Sequence, residues 1–84
     1  MGKDAVMDLM EYATEKIQQC LPEQYEVDDI SWCDTGFRIP VFDVSVMGRS
    51  IPEDAFMFFY KECDTEEENI ERFNYALQNF VECW

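Results

Sequence analysis

Nineteen of the 84 residues are Asp or Glu, six are Lys or Arg, and none is His. Chemistry in this chain must therefore fall to carboxylates or thiols, without the usual general base, triad orienter or metal-binding imidazole. Carboxylate pairs occur throughout, and their crowding means that no single pair stands out as a catalytic dyad. The acidic stretch from Asp28-Asp29 to Asp34-Thr35-Gly36 lacks the ligand spacing of a calcium loop. Three glycines form no phosphate-cradling loop. The cysteines, Cys20, Cys33, Cys63 and Cys83, are separated by 13, 30 and 20 positions, with no close pair of the kind that clips zinc or cycles as a dithiol. An even number also suits disulfides. Without a secretory signal they read instead as reduced thiols serving as small buried apolar groups, with Cys20 on an apolar helical stripe and Cys83 exposed near the chain end. The expectation is a non-enzymatic protein with no cofactor and no metal.

What the carboxylates can do together is present charge. The net charge is −13, and residues 1–29 and 62–84 each carry −6 of it, leaving −1 for residues 30–61. At 100° per residue Asp4, Asp8, Glu11 and Glu15 fall within about 60° of one another, nearly opposite the apolar stripe of the same segment. A rise of about 1.5 Å per residue spaces them about 6, 4.5 and 6 Å apart along the axis, close to the separation of phosphates along a nucleic-acid strand. Near the other end Asp64, Glu67, Glu68, Glu71 and Glu82 form a second acidic series, with Tyr75 and Gln78 among them. An ordinary surface helix also carries charge opposite its core face, but it mixes signs, whereas positions 4, 8, 11 and 15 are all acids. Those like-charge neighbours together cost about 1 kcal/mol, a noticeable share of a small domain's stability. Glu68 and Arg72 are the obvious compensating pair on the second segment.

The elements that must carry these stripes can be read from periodicity. Val6, Leu9, Met10, Ala13, Ile17, Cys20 and Leu21 recur at helical spacing over residues 4–21, with Asp4 as N-cap and Pro22 as stop. Ile70, Phe73, Ala76, Leu77, Phe80, Val81 and Trp84 do the same over 65–83, where Thr65 and Glu68 form a capping box. Between them, Asp29 to Cys33 reads as a strand, Asp34-Thr35-Gly36 as a turn and Phe37 to Met47 as a long strand. Its alternation changes phase at Pro40, where a bulge or an edge position is expected. Gly48-Arg49-Ser50 turns the chain again. Residues 55–62 fit either a helix, with Ala55, Phe56, Phe59, Tyr60 and Cys63 on one face, or a strand buried on both faces; five bulky residues from Phe56 to Tyr60 favour the strand. The expected fold is α+β, one small domain over 1–84: a helix, a three-stranded antiparallel sheet and a helix, with both helices on one face.

Hydrophobic residues at 48% and aromatics at 15% are too abundant for disorder despite the charge. Salt adaptation would favour Asp and few bulky residues, whereas Glu outnumbers Asp here and seven Phe are present. No apolar run spans a bilayer, Met1-Gly2-Lys3-Asp4 lacks the basic and apolar regions of a signal peptide, and Val6 stands where myristoylation needs Ser or Thr. A soluble cytoplasmic protein is expected. The acidity repels nucleic acid and anionic membrane and attracts basic protein surfaces. In size, charge and single-domain form the chain resembles phage-encoded anti-restriction and anti-CRISPR proteins that mimic DNA, a likeness of overall character that rests on no motif. It implies an inhibitor occupying the nucleic-acid groove of a nuclease or a CRISPR or restriction effector, through Asp4, Asp8, Glu11, Glu15, Asp64, Glu67, Glu68, Glu71 and Tyr75. Nuclease immunity proteins are similarly small and acidic, so an antitoxin against a basic toxin is the second class. The third is a self-associating scaffold, because one set among Phe37, Ile39, Val41, Phe42, Val44 and Val46 must face away from the helices and need a cover, as a homodimer through the sheet would provide. Trp32 reads as core, with an interface anchor as its other use.

Overall fold

Two amphipathic helices flank the chain, α1 (Lys3–Cys20) and α2 (Glu66–Glu82), in a computed structural model that describes residues 3–45 and 51–83. The strand expected to run to Met47 already ends at Asp43, with Val44 and Ser45 in a turn; Val46 and Met47, the turn at Gly48-Arg49-Ser50 and the burial of Trp84 lie outside the described residues. Val6, Ala13 and Ile17 of α1 are fully buried, with Leu9, Met10 and Leu21 packed at their margin. The helix already includes Lys3, so Asp4 occupies its first turn instead of capping it and still meets the positive end of the dipole. Leu21 N–H donates to the Ile17 carbonyl at 3.0 Å, and Pro22 prevents continuation. In α2 the Thr65 hydroxyl accepts from Glu68 N–H at 3.2 Å, and Glu68 Oε1 accepts from the same hydroxyl at 3.2 Å.

Between the helices run β1 (Tyr25–Val27), β2 (Ser31–Cys33), β3 (Gly36–Asp43) and β4 (Asp54–Phe59), all antiparallel to β3. The segment expected at 55–62 thus forms a strand and not a helix, but only to Phe59 and buried on one face instead of both, with Met57 and Phe59 exposed, while β1 is an element the periodicity did not reveal. Successive carbonyls of β3 point to opposite edges: Pro40 accepts from Asp28 N–H at 3.3 Å and Val41 from Glu53 N–H at 2.9 Å. That places β1 and β2 end to end along one edge and β4 along the other. Pro40 lies in this central strand, not at an edge, and pairs with Ala55 without breaking the β4 register. The irregularity falls on its other neighbour. Val27 faces Val41 and Ser31 faces Arg38, so residues 28–30 stand opposite only Ile39 and Pro40. Proline has no N–H to return to that edge, and the extra residue is accommodated there with Asp29 at φ 53°.

Alternation gives the sheet two faces. Phe37, Ile39 and Val41 point to the helices with their register partners Phe58 and Phe56, and join Val6, Ala13, Ile17, Phe73 and Leu77 in one core. Phe73 is its hub, with ring centroids 5.3 Å from Phe58, 6.2 Å from Phe37 and 6.2 Å from Phe56. Gly36, Arg38, Pro40 and Phe42 point away from the helices. A Cβ at Gly36 would run into the Phe58–Phe59 backbone and the Phe59 ring, which lies over the glycine. Both helices therefore cover the same face, α1 over β1 and β3 and α2 over β4. Neither packs extensively over β2, so Trp32 is 39% exposed and not a core residue. All four cysteines are free and exposed. Cys20 leaves the core because Ile17 and Leu21 occupy the inward positions of the last turns, and Ile70 likewise stays half out of the helix–sheet contact.

Among the described residues one polar side chain is fully buried. Asn69 Oδ1 accepts from Lys61 N–H at 2.9 Å and from Arg72 Nη2 at 2.6 Å, while its Nδ2 donates to the carbonyls of Lys61 and Thr65, both at 3.0 Å. Every donor and acceptor of the amide is used. Arg72 also donates to the Phe59 carbonyl at 2.7 Å and stacks 4.9 Å from the Phe58 ring, so its partner is this bracket and not Glu68. Asn69→Ala, which orphans Lys61 N–H and two carbonyls, should lower stability by about 2–4 kcal/mol. Urea denaturation measures this, with the exposed Asn79→Ala on the same helix expected within about 0.5 kcal/mol of wild type.

Candidate functional site: an acidic helical face

The connections on either side of the sheet are short, residues 21–24 between α1 and β1 and residues 60–65 between β4 and α2. Each helix therefore runs back antiparallel to its neighbouring strand. Because β1 and β4 are both antiparallel to β3, the two helices run in the same direction. Tyr12 of α1 meets Phe73 of α2 at 6.3 Å between ring centroids, so the helices are in register roughly midway along their lengths. Their N-terminal halves consequently lie at the same end of the molecule, and the acids are concentrated in those halves.

Asp4, Asp8, Glu11 and Glu15 are all exposed on the side of α1 turned away from the sheet. Glu67, Glu68, Glu71 and Tyr75 are exposed on α2, Tyr75 to 72%. Asp64 does not belong with them: it precedes the N-cap in a turn, is half-buried, and its N–H donates to the Lys61 carbonyl at 3.1 Å. Its carboxylate faces the Cys63 thiol at 3.8 Å. Glu82 stands at the far end of α2 and accepts from Gln78 Nε2 at 3.1 Å. The α2 ridge is thus shorter than the spacing implied, with Glu67, Glu68 and Glu71 bordering a shallow depression beside the exposed Ile70. Acids in the first turns, Asp4 on α1 and Glu66, Glu67 and Glu68 on α2, meet two helix N-termini whose dipoles offset part of their mutual repulsion.

The ground between the ridges is not acidic. A groove there is lined by Tyr12 and Lys16 from α1 and by Asn74, Leu77, Gln78 and Val81 from α2, with the Lys16 ammonium 5.7 Å from the Tyr12 ring centroid. The surface therefore consists of two anionic ridges flanking a mixed, weakly cationic floor. On its far flank α1 borders an open apolar recess of about 410 Å³, in which Met10, Thr14 and Ile30 lie beside Glu11 and Glu15. Ile30 comes from the irregular segment between β1 and β2, and its position against α1 had no signal in the spacing of residues. Lys16 did: it is four residues from Tyr12, the spacing of neighbours on one helical face.

A second feature lies at the β2–β3 turn. The Cys33 Sγ is 3.3 Å from the Thr35 hydroxyl, and the residue is exposed. That hydroxyl, followed by the backbone of Thr35 and Gly36, holds the thiol below its ordinary range against slight desolvation and the charge of Asp34. Among the described residues no group of three or more Cys, Asp or Glu side chains is placed to hold a metal ion, and no helix is long and apolar enough to cross a membrane. Comparison with family models, with curated proteins and with solved structures finds no match to this chain.

Two outcomes are expected. Iodoacetamide labelling of Cys33, followed by peptide mapping across pH, should reach half its maximal rate at lower pH than in Thr35→Val; identical profiles would remove the hydroxyl from the account. Screening of the ridges should raise folding stability by about 1 kcal/mol between about 50 and 500 mM NaCl. A urea midpoint that is flat or falls over that range would show that the acids do not repel one another.

Proposed function

We propose that this chain is a non-enzymatic acidic inhibitor that fills the basic, nucleic-acid-binding groove of a DNA- or RNA-handling protein, in the manner of phage anti-CRISPR and anti-restriction proteins. The observation that carries this reading is the co-directional placement of two acid-bearing helices on one side of the sheet, with the acids of α1 following one another at near-phosphate spacing along its axis. A cleft built for nucleic acid offers lysine and arginine along two walls. Ridges about 10 Å apart, the usual interaxial distance of packed helices, would address both. Affinity would come largely from counterion release and steered encounter.

The weakly cationic floor and the apolar recess add shape to the charge. An arginine that meets Glu11 or Glu15 would find room for its stem against Met10 and Ile30. Tyr75 would supply a rigid aromatic contact on the second ridge. The same placement would leave the chain without affinity for nucleic acid or anionic lipid.

The test is displacement of labelled DNA from a panel of nucleases and CRISPR or restriction effectors by the purified chain. Displacement from at least one is expected, with affinity falling steeply between about 50 and 500 mM NaCl. Asp8→Lys combined with Glu11→Lys should weaken that binding by about 2 kcal/mol or more while the circular dichroism stays unchanged. Affinity indifferent to salt, or to this double reversal, would refute the proposal.

A further inference from the structure

β4 is an edge strand, and the direction of its backbone groups can be read residue by residue. Tyr60 N–H donates to the Thr35 carbonyl at 2.6 Å, which continues the bonds of Phe56 and Phe58 to β3 and turns the groups of Ala55, Met57, Phe59 and Lys61 outward. Side chains take up part of that outward row. The Ala55 N–H is held by Asp54 Oδ1 at 2.8 Å, the Phe59 carbonyl by Arg72 at 2.7 Å, and both groups of Lys61 by Asn69. Among the described residues nothing bonds the N–H and C=O of Met57, the C=O of Ala55 or the N–H of Phe59. These four groups are what an antiparallel strand centred on Met57 would engage.

The flank of α2 above this edge differs from the rest of the helix. Arg72 reaches the edge carbonyl, and Ala76, Asn79 and Cys83 follow on its side at helical spacing. The four residues include one cation and no acid, whereas Asn74 and Gln78, on the opposite side, line the groove towards α1. Rises of about 3.3 Å per strand residue and 1.5 Å per helix residue match the two steps from Phe59 back to Met57 with about four steps from Arg72 on to Ala76. Ala76, which presents only a methyl group, therefore stands level with Met57.

We propose that β4 pairs antiparallel with β4 of a second copy of this chain, about a two-fold axis between the two Met57 residues, joining the two sheets into one. The edge is its own complement. Each Met57 exchanges both of its bonds with the other, and each Phe59 N–H meets the Ala55 carbonyl across the axis. In the same register the Ala55 N–H meets the Phe59 carbonyl, the two groups that Asp54 and Arg72 hold in the single chain. Asp54 of one copy and Arg72 of the other are thereby left side by side, an acid against a cation at each end of the seam. Met57, 57% exposed, and Phe59, 49% exposed, gain cross-strand neighbours in Met57 and Ala55 of the second copy. Ala76 lies at the axis and lets the two α2 helices approach to the usual packing distance of about 8–10 Å. A net charge of −13 opposes self-association, so the contact is concentration-dependent. The seam lies on the side of α2 away from the groove, and the proposal does not rest on the inhibitor reading.

Sedimentation of the full chain under reducing conditions, over about 5–500 µM at about 150 mM NaCl, tests it together with amide exchange followed by NMR. A monomer–dimer equilibrium is expected in which the Met57 and Phe59 amides, unbonded in the monomer, exchange about tenfold more slowly or less as the dimer forms. Ala76→Arg should raise the dimer Kd about tenfold or more with unchanged circular dichroism, even though it reduces the net negative charge. Met57→Pro, which removes the central N–H and leaves the bonds to β3 in place, should do the same. Monomer alone at the highest concentration overturns the proposal. So does a dimer whose Met57 and Phe59 amides exchange as in the monomer, or one that Ala76→Arg leaves intact. DNA displacement is measured on the dilute chain, below this concentration range, so failure of one reading is distinguishable from failure of the other.

Discussion

A single side-chain amide stands in for a strand where the sheet hands over to the last helix. Asn69 bonds both the N–H and the C=O of Lys61 as a neighbouring strand would, and it holds Arg72 against the Phe59 carbonyl. Because the residue is completely buried, every one of these bonds is made in a medium where an unmade one is costly. The bracket determines where α2 leaves the sheet and which face it returns over. The placement of Phe73 against Phe37, Phe56 and Phe58, and of Glu67 and Glu71 beside the α1 acids, depends on that exit.

The molecule holds together against its own charge. Two helices with net charges of −2 and −4 lie side by side, an arrangement that Coulomb repulsion opposes. Three features offset it. The aromatic core draws both helices to one face, the N-terminal dipoles meet the acids of the first turns, and Lys16 occupies the groove between the ridges. None of these neutralises the outward carboxylates, which remain available to an external cation.

The sheet divides the work. Its inner face is aromatic and packed; Asp54, Arg72 and Asn69 bond part of one edge, the 28–30 irregularity interrupts the other, and on the outer face Met57 and Phe59 are exposed while Pro40 and Phe42 are buried.

The two helices and the acidic stripe on α1 were legible in the sequence because helical spacing, capping residues and like-charge runs are local, within a few turns of one another. The β4 segment was ambiguous because Phe56 and Phe58 face the core while Met57 and Phe59 face outward, so an apolar run carried no period. Trp32, Cys20 and Asp64 could not be placed from composition, since each depends on where a neighbouring element stops: α1 and α2 leave β2 largely uncovered, Leu21 takes the inward position beside Cys20, and α2 begins after Asp64. Pro40 announced an irregularity but not its strand, because the N–H it lacks is missed by whichever neighbour the register supplies. Local order thus determined which residues form helices and where charge accumulates along the chain. Only the tertiary structure decided that the helices run the same way on one face, that Asn69 closes the sheet and that Ile30 reaches α1, because each joins atoms far apart in sequence through packing that no short-range pattern encodes.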